Sequence, residues 1–205
     1  MELPLKADEN GVALLKLQCE NHILKPLHEN YGIDISDAAI RKAVEQHNRV
    51  CRIIREIGDF RKEERPSITG YEFHVLTLAT YLAPKYLLLD KLEETLEELK
   101  TREAETKPYR ARLAVVGSEV DDSGFIKLIE DTGAYVCADR FCFGSLPGRN
   151  VIELNDGEDA LTQLCRQYVY TCQAIRDQFN VYMRTVMREE PLDPTIEVLP
   201  DENAW

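Results

Sequence analysis

The sequence predicts an α/β fold, a helical N-terminal segment followed by a partial three-layer parallel-sheet lobe. Three observations predict it. Apolar side chains recur at helical spacing through the first hundred residues. Two short apolar runs, "RLAVVGSEV" at 112–120 and "AYVCAD" at 134–139, flank one short amphipathic stretch, "DDSGFIKLIEDTG" at 121–133. Strand, helix, strand in that order implies a right-handed crossover and a parallel pair. The segments are then a helical region over 1–106, a partial α/β lobe with a long C-terminal helix over 107–190, and an irregular acidic tail over 191–205.

The elements follow in chain order. Residues 12–30 have helical apolar spacing interrupted by Pro26, and Gly32 suits a left-handed cap at the end of the segment. Ser36 can cap a second helix, with Asp37 favourable in its first turn. Ile40, Ala43, Val44, His47, Cys51, Ile54 and Ile57 form one face of that helix, which runs to about Lys62 before Pro66 breaks the pattern. His47 and Cys51 lie four apart on this face; two ligands alone seldom hold a metal, so they read as core. "SITGYEFHVLTLATYL" (67–82) gives a third helix. "KYLLLDKLEETLEELKTREAE" (85–105) gives a fourth, with Leu88, Leu92, Leu96 and Leu99 as its stripe and its glutamates on the solvated face. A polar linker around Pro108 precedes the first strand, which reads as buried. Gly133 stops the crossover helix, "NVIEL" (150–154) reads as a third short strand, and 156–190 returns to helix.

Composition sets outer limits. The chain has 205 residues, 44% of them hydrophobic and 30% charged, enough for a real core. A formal net charge of -12 disfavours nucleic acid and anionic membrane as partners. No apolar run is long enough to span a bilayer, and the first residues lack a signal-peptide pattern, so the expected location is cytoplasmic. The six cysteines, Cys19, Cys51, Cys137, Cys142, Cys165 and Cys172, contain no Cys-x-x-Cys pair and are expected as thiols in a reducing compartment. No self-contained metal site is predicted.

Ligands of open α/β sheets bind beyond the carboxyl ends of the strands. The first strand ends in Gly117, Ser118 and Glu119, and the second in Asp139, Arg140, Phe141, Cys142, Phe143 and Gly144. Parallel neighbours bring both ends to one edge. The candidate substrate-binding set is therefore Ser118, Glu119, Asp139, Arg140, Phe141, Cys142 and Gly144. Arg140 and backbone N–H groups near Gly117 would serve anionic groups, and the rings would serve apolar surface. Each has a structural alternative: Asp139 and Arg140 as a mutual pair or turn caps, the phenylalanines as core plugs, Cys137 as a small hydrophobe. No catalytic residue is identifiable.

Three segments carry a resemblance: "GIDISDAAIRKAVEQHNRVCRIIREI", "RARLAVVGSEVDDSGFIKLIEDTGAYVCADRFCFGS" and "ELNDGEDALTQLCRQYVYTC". Within them stand Ala43, Asn48 and Arg52 on the helix, a strand ending in Gly-Ser, a helix ending in Gly-Ala, and Asp139, Cys142 and Gly144 after the second strand. Together they resemble the 2-hydroxyacyl-CoA dehydratase D-component family, which includes benzoyl-CoA reductase subunits, up to about Cys172. The resemblance implies a fragment or truncated subunit, because family members are about twice as long. It implies an acyl-CoA ligand, a second subunit, an ATP-dependent activator that injects one electron, and a [4Fe–4S] cluster. It also implies removal of water from a 2-hydroxyacyl-CoA through a ketyl radical, a lyase reaction for which this chain alone is not expected to suffice. The usual cluster cysteines do not map onto this chain. The alternatives are a non-catalytic acyl-CoA-binding or subunit-interaction module of the same lineage, or a benzoyl-CoA reductase-type subunit.

Overall fold

The computed structural model describes residues 6–104, 108–117, 119–144 and 151–171. The expected helix beyond 171 and the acidic tail lie outside the described residues. Two compact units are present, one from residues 6–44 with 152–171, the other from residues 45–151.

In the first unit, α1 (Glu9–Cys19) is capped by Asp8, whose carboxylate accepts the Gly11 N–H at 2.8 Å. The helix widens into a π-helical turn, Glu20–Leu24, and continues as α2 (Lys25–Tyr31), so Pro26, which lacks an N–H, follows directly on the widened turn. Gly32 ends α2 at φ 66°, as the left-handed cap requires. α3 (Asp37–Asp59) starts here, with Ser36 Oγ accepting the Ala39 N–H at 3.2 Å. A later helix, α7, occupies residues 160–171. Val12 and Leu15 of α1 pack with Leu161, Cys165 and Val169 of α7, and Ile40 of α3 lies against that cluster.

The expected strand at 150–154 does not form: residues 151–155 have no regular structure. Side chains take the place of a ladder just beyond it. Asn155 donates its N–H to Gln163 Oε1 at 2.8 Å, and its carbonyl accepts from Gln163 Nε2 at 2.9 Å and Arg41 Nη1 at 3.1 Å.

Lys16 of α1 meets Asp159 at 2.9 Å and Thr162 at 2.8 Å. Desolvation raises the Asp159 pKa, but the hydrogen bonds from Thr162 and Lys16 outweigh it and hold the carboxyl at about 2. A depressed folded pKa adds stability above the unfolded value of about 3.9, and that contribution fades as pH falls toward about 2. The side chain is 43% exposed, so solvent screening keeps the effect small. Chemical denaturation of Lys16→Ala beside wild type should show a stability gap at pH 6 that closes below pH 4; a gap independent of pH would contradict this assignment.

The second unit contains the C-terminal part of α3, whose Cys51, Ile54 and Ile57 are buried as the periodicity predicts. Val50 and Ile53 are buried too, while Ala43, at the other end of the predicted face, is exposed. A 3-10 turn, Phe60–Lys62, follows α3. α4 (Gly70–Leu82) opens on a capping box: Thr69 Oγ1 accepts the Glu72 N–H at 3.0 Å, and Glu72 accepts the Thr69 N–H at 2.8 Å. Thr69→Ala should cost about 1 kcal/mol in urea unfolding. α5 (Lys85–Thr101) buries Leu89, Leu92, Leu96 and Leu99 against Ile53, Ile54, Ile57 and Phe73, and exposes Glu94, Glu97 and Glu98.

β1 (Ala111–Val116) and β2 (Ala134–Arg140) form the predicted parallel pair, joined through α6 (Ser123–Asp131). Gly133, at φ 87°, makes the turn from α6 into β2. The register shifts between Leu113 and Ala114, which pair with Val136 and Ala138, so Cys137 is the extra residue of a bulge. β1 departs from its expected burial. Ala111, Arg112, Ala114 and Val116 are exposed, because among the described residues the strand has a neighbour on one side only. β2 is the buried strand, with Ala134, Tyr135 and Val136 all under 9% exposed.

α4 and α6 lie against β2 and against each other. The closest approach is at Gly70, where a Cβ would stand 2.6 Å from the Val136 carbonyl oxygen and 2.7 Å from its Cβ. Gly70→Ala must therefore push α4 off the sheet, at a cost of about 3 kcal/mol. Thermal unfolding at unchanged midpoint would contradict this. No helix among the described residues is long and apolar enough to cross a membrane.

Candidate functional site

The candidate site is the carboxyl edge of the parallel pair, and its geometry starts from one buried ion pair. Asp139 Oδ2 lies 2.8 Å from Arg61 Nη1, with the side chains 5% and 7% exposed. The Arg61 guanidinium stacks 3.5 Å from the centroid of the Phe73 ring. In a low-dielectric interior such a pair is held only where its desolvation is offset by good geometry and further contacts. Here the flat guanidinium gains both a carboxylate and an aromatic face.

The same carboxylate shapes the turn that follows. Gly144 sits so close that a Cβ there would fall on Asp139 Oδ1 and come within 3.0 Å of the Phe141 ring. The Gly144 N–H donates to the Phe141 carbonyl at 3.1 Å, closing a tight turn over 141–144. Asp139 therefore joins the 3-10 turn after α3 to the loop after β2. Its Oδ2 meets the Arg61 guanidinium and its Oδ1 lies against Gly144.

Phe141 is buried in a cluster with Ile126 and Val136, and its ring meets His74 edge-on at 5.8 Å. Phe143 is half-buried, edge-on to Tyr81 at 5.9 Å. Cys142, between the two rings, is exposed at the tip of the turn. Both phenylalanines anchor the turn and leave the thiol outside. Arg140 and Glu119 are exposed at the same edge, and Ser118 lies outside the described residues. The Gly117 N–H donates to the Arg140 carbonyl at 3.2 Å, so it continues the ladder and does not point at an anion.

Two residues of this edge were missed by sequence reasoning. Arg61 comes from a segment that reads as a helix end, 78 residues before Asp139. His74 is buried on α4 and hydrogen-bonds the Val120 carbonyl through Nε2 at 3.1 Å, which fixes the loop after β1. A carbonyl only accepts, so Nε2 carries the proton. A histidine within an otherwise apolar and hydroxyl-bearing helix face was the available signal; Arg61 had none.

The described cysteines do not build a cluster cradle. Cys51 Sγ is 3.2 Å from His47 Nε2 and is buried, Cys137 hydrogen-bonds the Leu113 carbonyl, and Cys142 is exposed. Among the described residues no three histidine, cysteine or acidic side chains converge to hold a metal. These residues do not fit a [4Fe–4S] cluster. The first unit has a cleft of about 460 Å³ lined by Lys16, Glu20, Leu24, Ile40, Asp159 and Leu161. Its Lys16 and Asp159 are paired with each other, and Lys25 and Asp37 also line it.

Among the described residues, a two-stranded parallel sheet packed by α4 and α6, with Arg140 and Cys142 exposed at its carboxyl edge, makes this an α/β protein. The chain belongs to the 2-hydroxyglutaryl-CoA dehydratase D-component family, whose family model matches residues 1–190. It is 23% identical over 206 aligned positions to the Escherichia coli (strain K12) protein named "Putative dehydratase subunit YjiM". That alignment covers 97% of this chain and 54% of the relative, so the chain spans about half the length of the curated relative it matches.

Proposed function

We propose that this chain forms part of a cytoplasmic 2-hydroxyacyl-CoA dehydratase subunit and that the carboxyl edge of β1 and β2 handles the acyl-CoA thioester. The observation that carries the reading is the family match over residues 1–190, which includes both strands and both loops of that edge. The exposed Arg140 guanidinium pairs with an anionic group of the ligand. Phe143 and Tyr81 supply apolar surface beside it. Asp139, Arg61 and Gly144 hold the turn in place from beneath.

The iron–sulfur cluster that the family resemblance implies is held, on this reading, outside the described residues. When bound it supplies the one-electron chemistry of the dehydration, and no step of that chemistry is assigned to this chain. A second subunit and an ATP-dependent activator complete the enzyme. Iron and acid-labile sulfide analysis after anaerobic reconstitution tests this assembly. The chain alone should stay colourless. With a second dehydratase subunit it should give a brown complex that, with activator and ATP, releases water from a 2-hydroxyacyl-CoA. A complex that never acquires iron would overturn the catalytic reading.

A further inference from the structure

Two cysteines far apart in sequence meet inside the first unit. Cys19 is the last residue of α1, and Cys165 lies on α7. Cys165 is 3% exposed and belongs to the cluster with Val12, Leu15, Leu161 and Val169, while Cys19, half-buried, packs against that same cluster. The two thiols share that cluster, close enough for Cys19 to act electrostatically on Cys165, and both are free cysteines. The other described buried or half-buried thiols face different partners, Cys51 the His47 ring and Cys137 the Leu113 carbonyl.

We propose that Cys19 and Cys165 are a disulfide-forming pair, a modification site that a small-molecule disulfide such as oxidised glutathione converts into a covalent clamp between α1 and α7. The inference is independent of the acyl-CoA reading, because both residues lie in the other unit.

The order of events follows from burial. Cys19 is the more accessible sulfur and attacks first. Its thiolate forms a mixed disulfide and releases one glutathione thiolate, which takes up a proton. The Cys165 thiolate then attacks Cys19 Sγ and releases the second glutathione. Two protein thiols are oxidised and one glutathione disulfide is reduced to two thiols, so electrons balance. Burial, with Cys19 and Asp159 adding to it and Lys16 opposing, pushes the Cys165 thiol up to about 12. The second step is therefore the slow one, and the mixed disulfide on Cys19 accumulates before closure.

The test uses the full chain, folded, under native conditions. It is incubated in oxidised glutathione, quenched with acid and N-ethylmaleimide, digested without reductant and mapped by mass spectrometry. The expected product is a peptide containing Cys19 linked to one containing Cys165, lighter by the two thiol hydrogens and separated by dithiothreitol. Exposed Cys142 should appear as a glutathione mixed disulfide and serves as the accessibility control. In Cys165→Ser the mixed disulfide on Cys19 should persist instead of giving way to the clamp. The wild-type map stands even where that variant folds poorly. Recovery of Cys19 and Cys165 as separate maleimide or glutathione adducts while Cys142 is fully modified would overturn the proposal, as would either sulfur linked to a different cysteine.

Discussion

Asp139→Ala should destabilise the protein by about 3–5 kcal/mol, the cost of leaving a buried charge without its partner. The substitution leaves the Arg61 guanidinium with neither water nor a carboxylate at Nη1, since both side chains of the pair are under 8% exposed. Arg61→Ala should cost a similar amount through the stranded carboxylate. The doubly apolar Asp139→Leu/Arg61→Met should recover most of the loss, because the desolvation penalties vanish together. Urea unfolding of the four proteins measures this. A loss below about 1 kcal/mol for Asp139→Ala would place the pair among solvent-screened surface bridges. A second readout separates positioning from bulk stability. With its anchor removed, the 141–144 turn should loosen, and Cys142 in Asp139→Ala should react with a thiol reagent at a different rate from wild type at a urea concentration where both are folded.

Phe73→Ala should cost about 3–5 kcal/mol, as for other buried phenylalanines cut back to alanine. Phe73 is 1% exposed and packs with Ile54, Ile57 and Leu96 in the helical core. Its ring is also the platform for the Arg61 guanidinium. Phe73→Leu restores much of the volume without the aromatic face, so it should lose about 1–2 kcal/mol. Since Phe73 and Arg61 touch, the double alanine variant should fall short of the two single losses added together. Additive losses would mean that the stacking contributes nothing.

How much of this was legible in the sequence depends on the range of the interaction. Local signals held well. Gly32 and Gly133 stand where a left-handed backbone is required, Ser36 caps α3, and the leucine stripe of α5 is buried with Leu89 in place of half-buried Leu88. The parallel crossover also followed from order alone, because strand–helix–strand units close with one hand. What failed depended on partners distant in sequence. Apolar runs do not report whether a strand has one neighbour or two, so β1 read as buried. The run at 150–154 could not reveal that Gln163 and Arg41 would satisfy the backbone beside it.

The edge itself was half legible. Strand ends located the loops, and the spacing of Phe141, Cys142 and Phe143 suggested an exposed thiol between rings. The tie that shapes the turn was invisible. Asp139 read equally well as a partner for its neighbour Arg140, and nothing near Arg61 marked it as the cation that meets Asp139 across 78 residues. The family model covering residues 1–190 agrees with the three segments in which the resemblance was seen.

The most direct test of the central claim is a calorimetric titration of a 2-hydroxyacyl-CoA thioester into the full chain, with Arg140→Ala and Cys142→Ala alongside. Wild type should bind. Cys142→Ala should match it, and Arg140→Ala should weaken binding at least about tenfold, or ~1.4 kcal/mol. No heat with wild type, or equal affinity in Arg140→Ala, would contradict the assignment of the thioester to the carboxyl edge of β1 and β2.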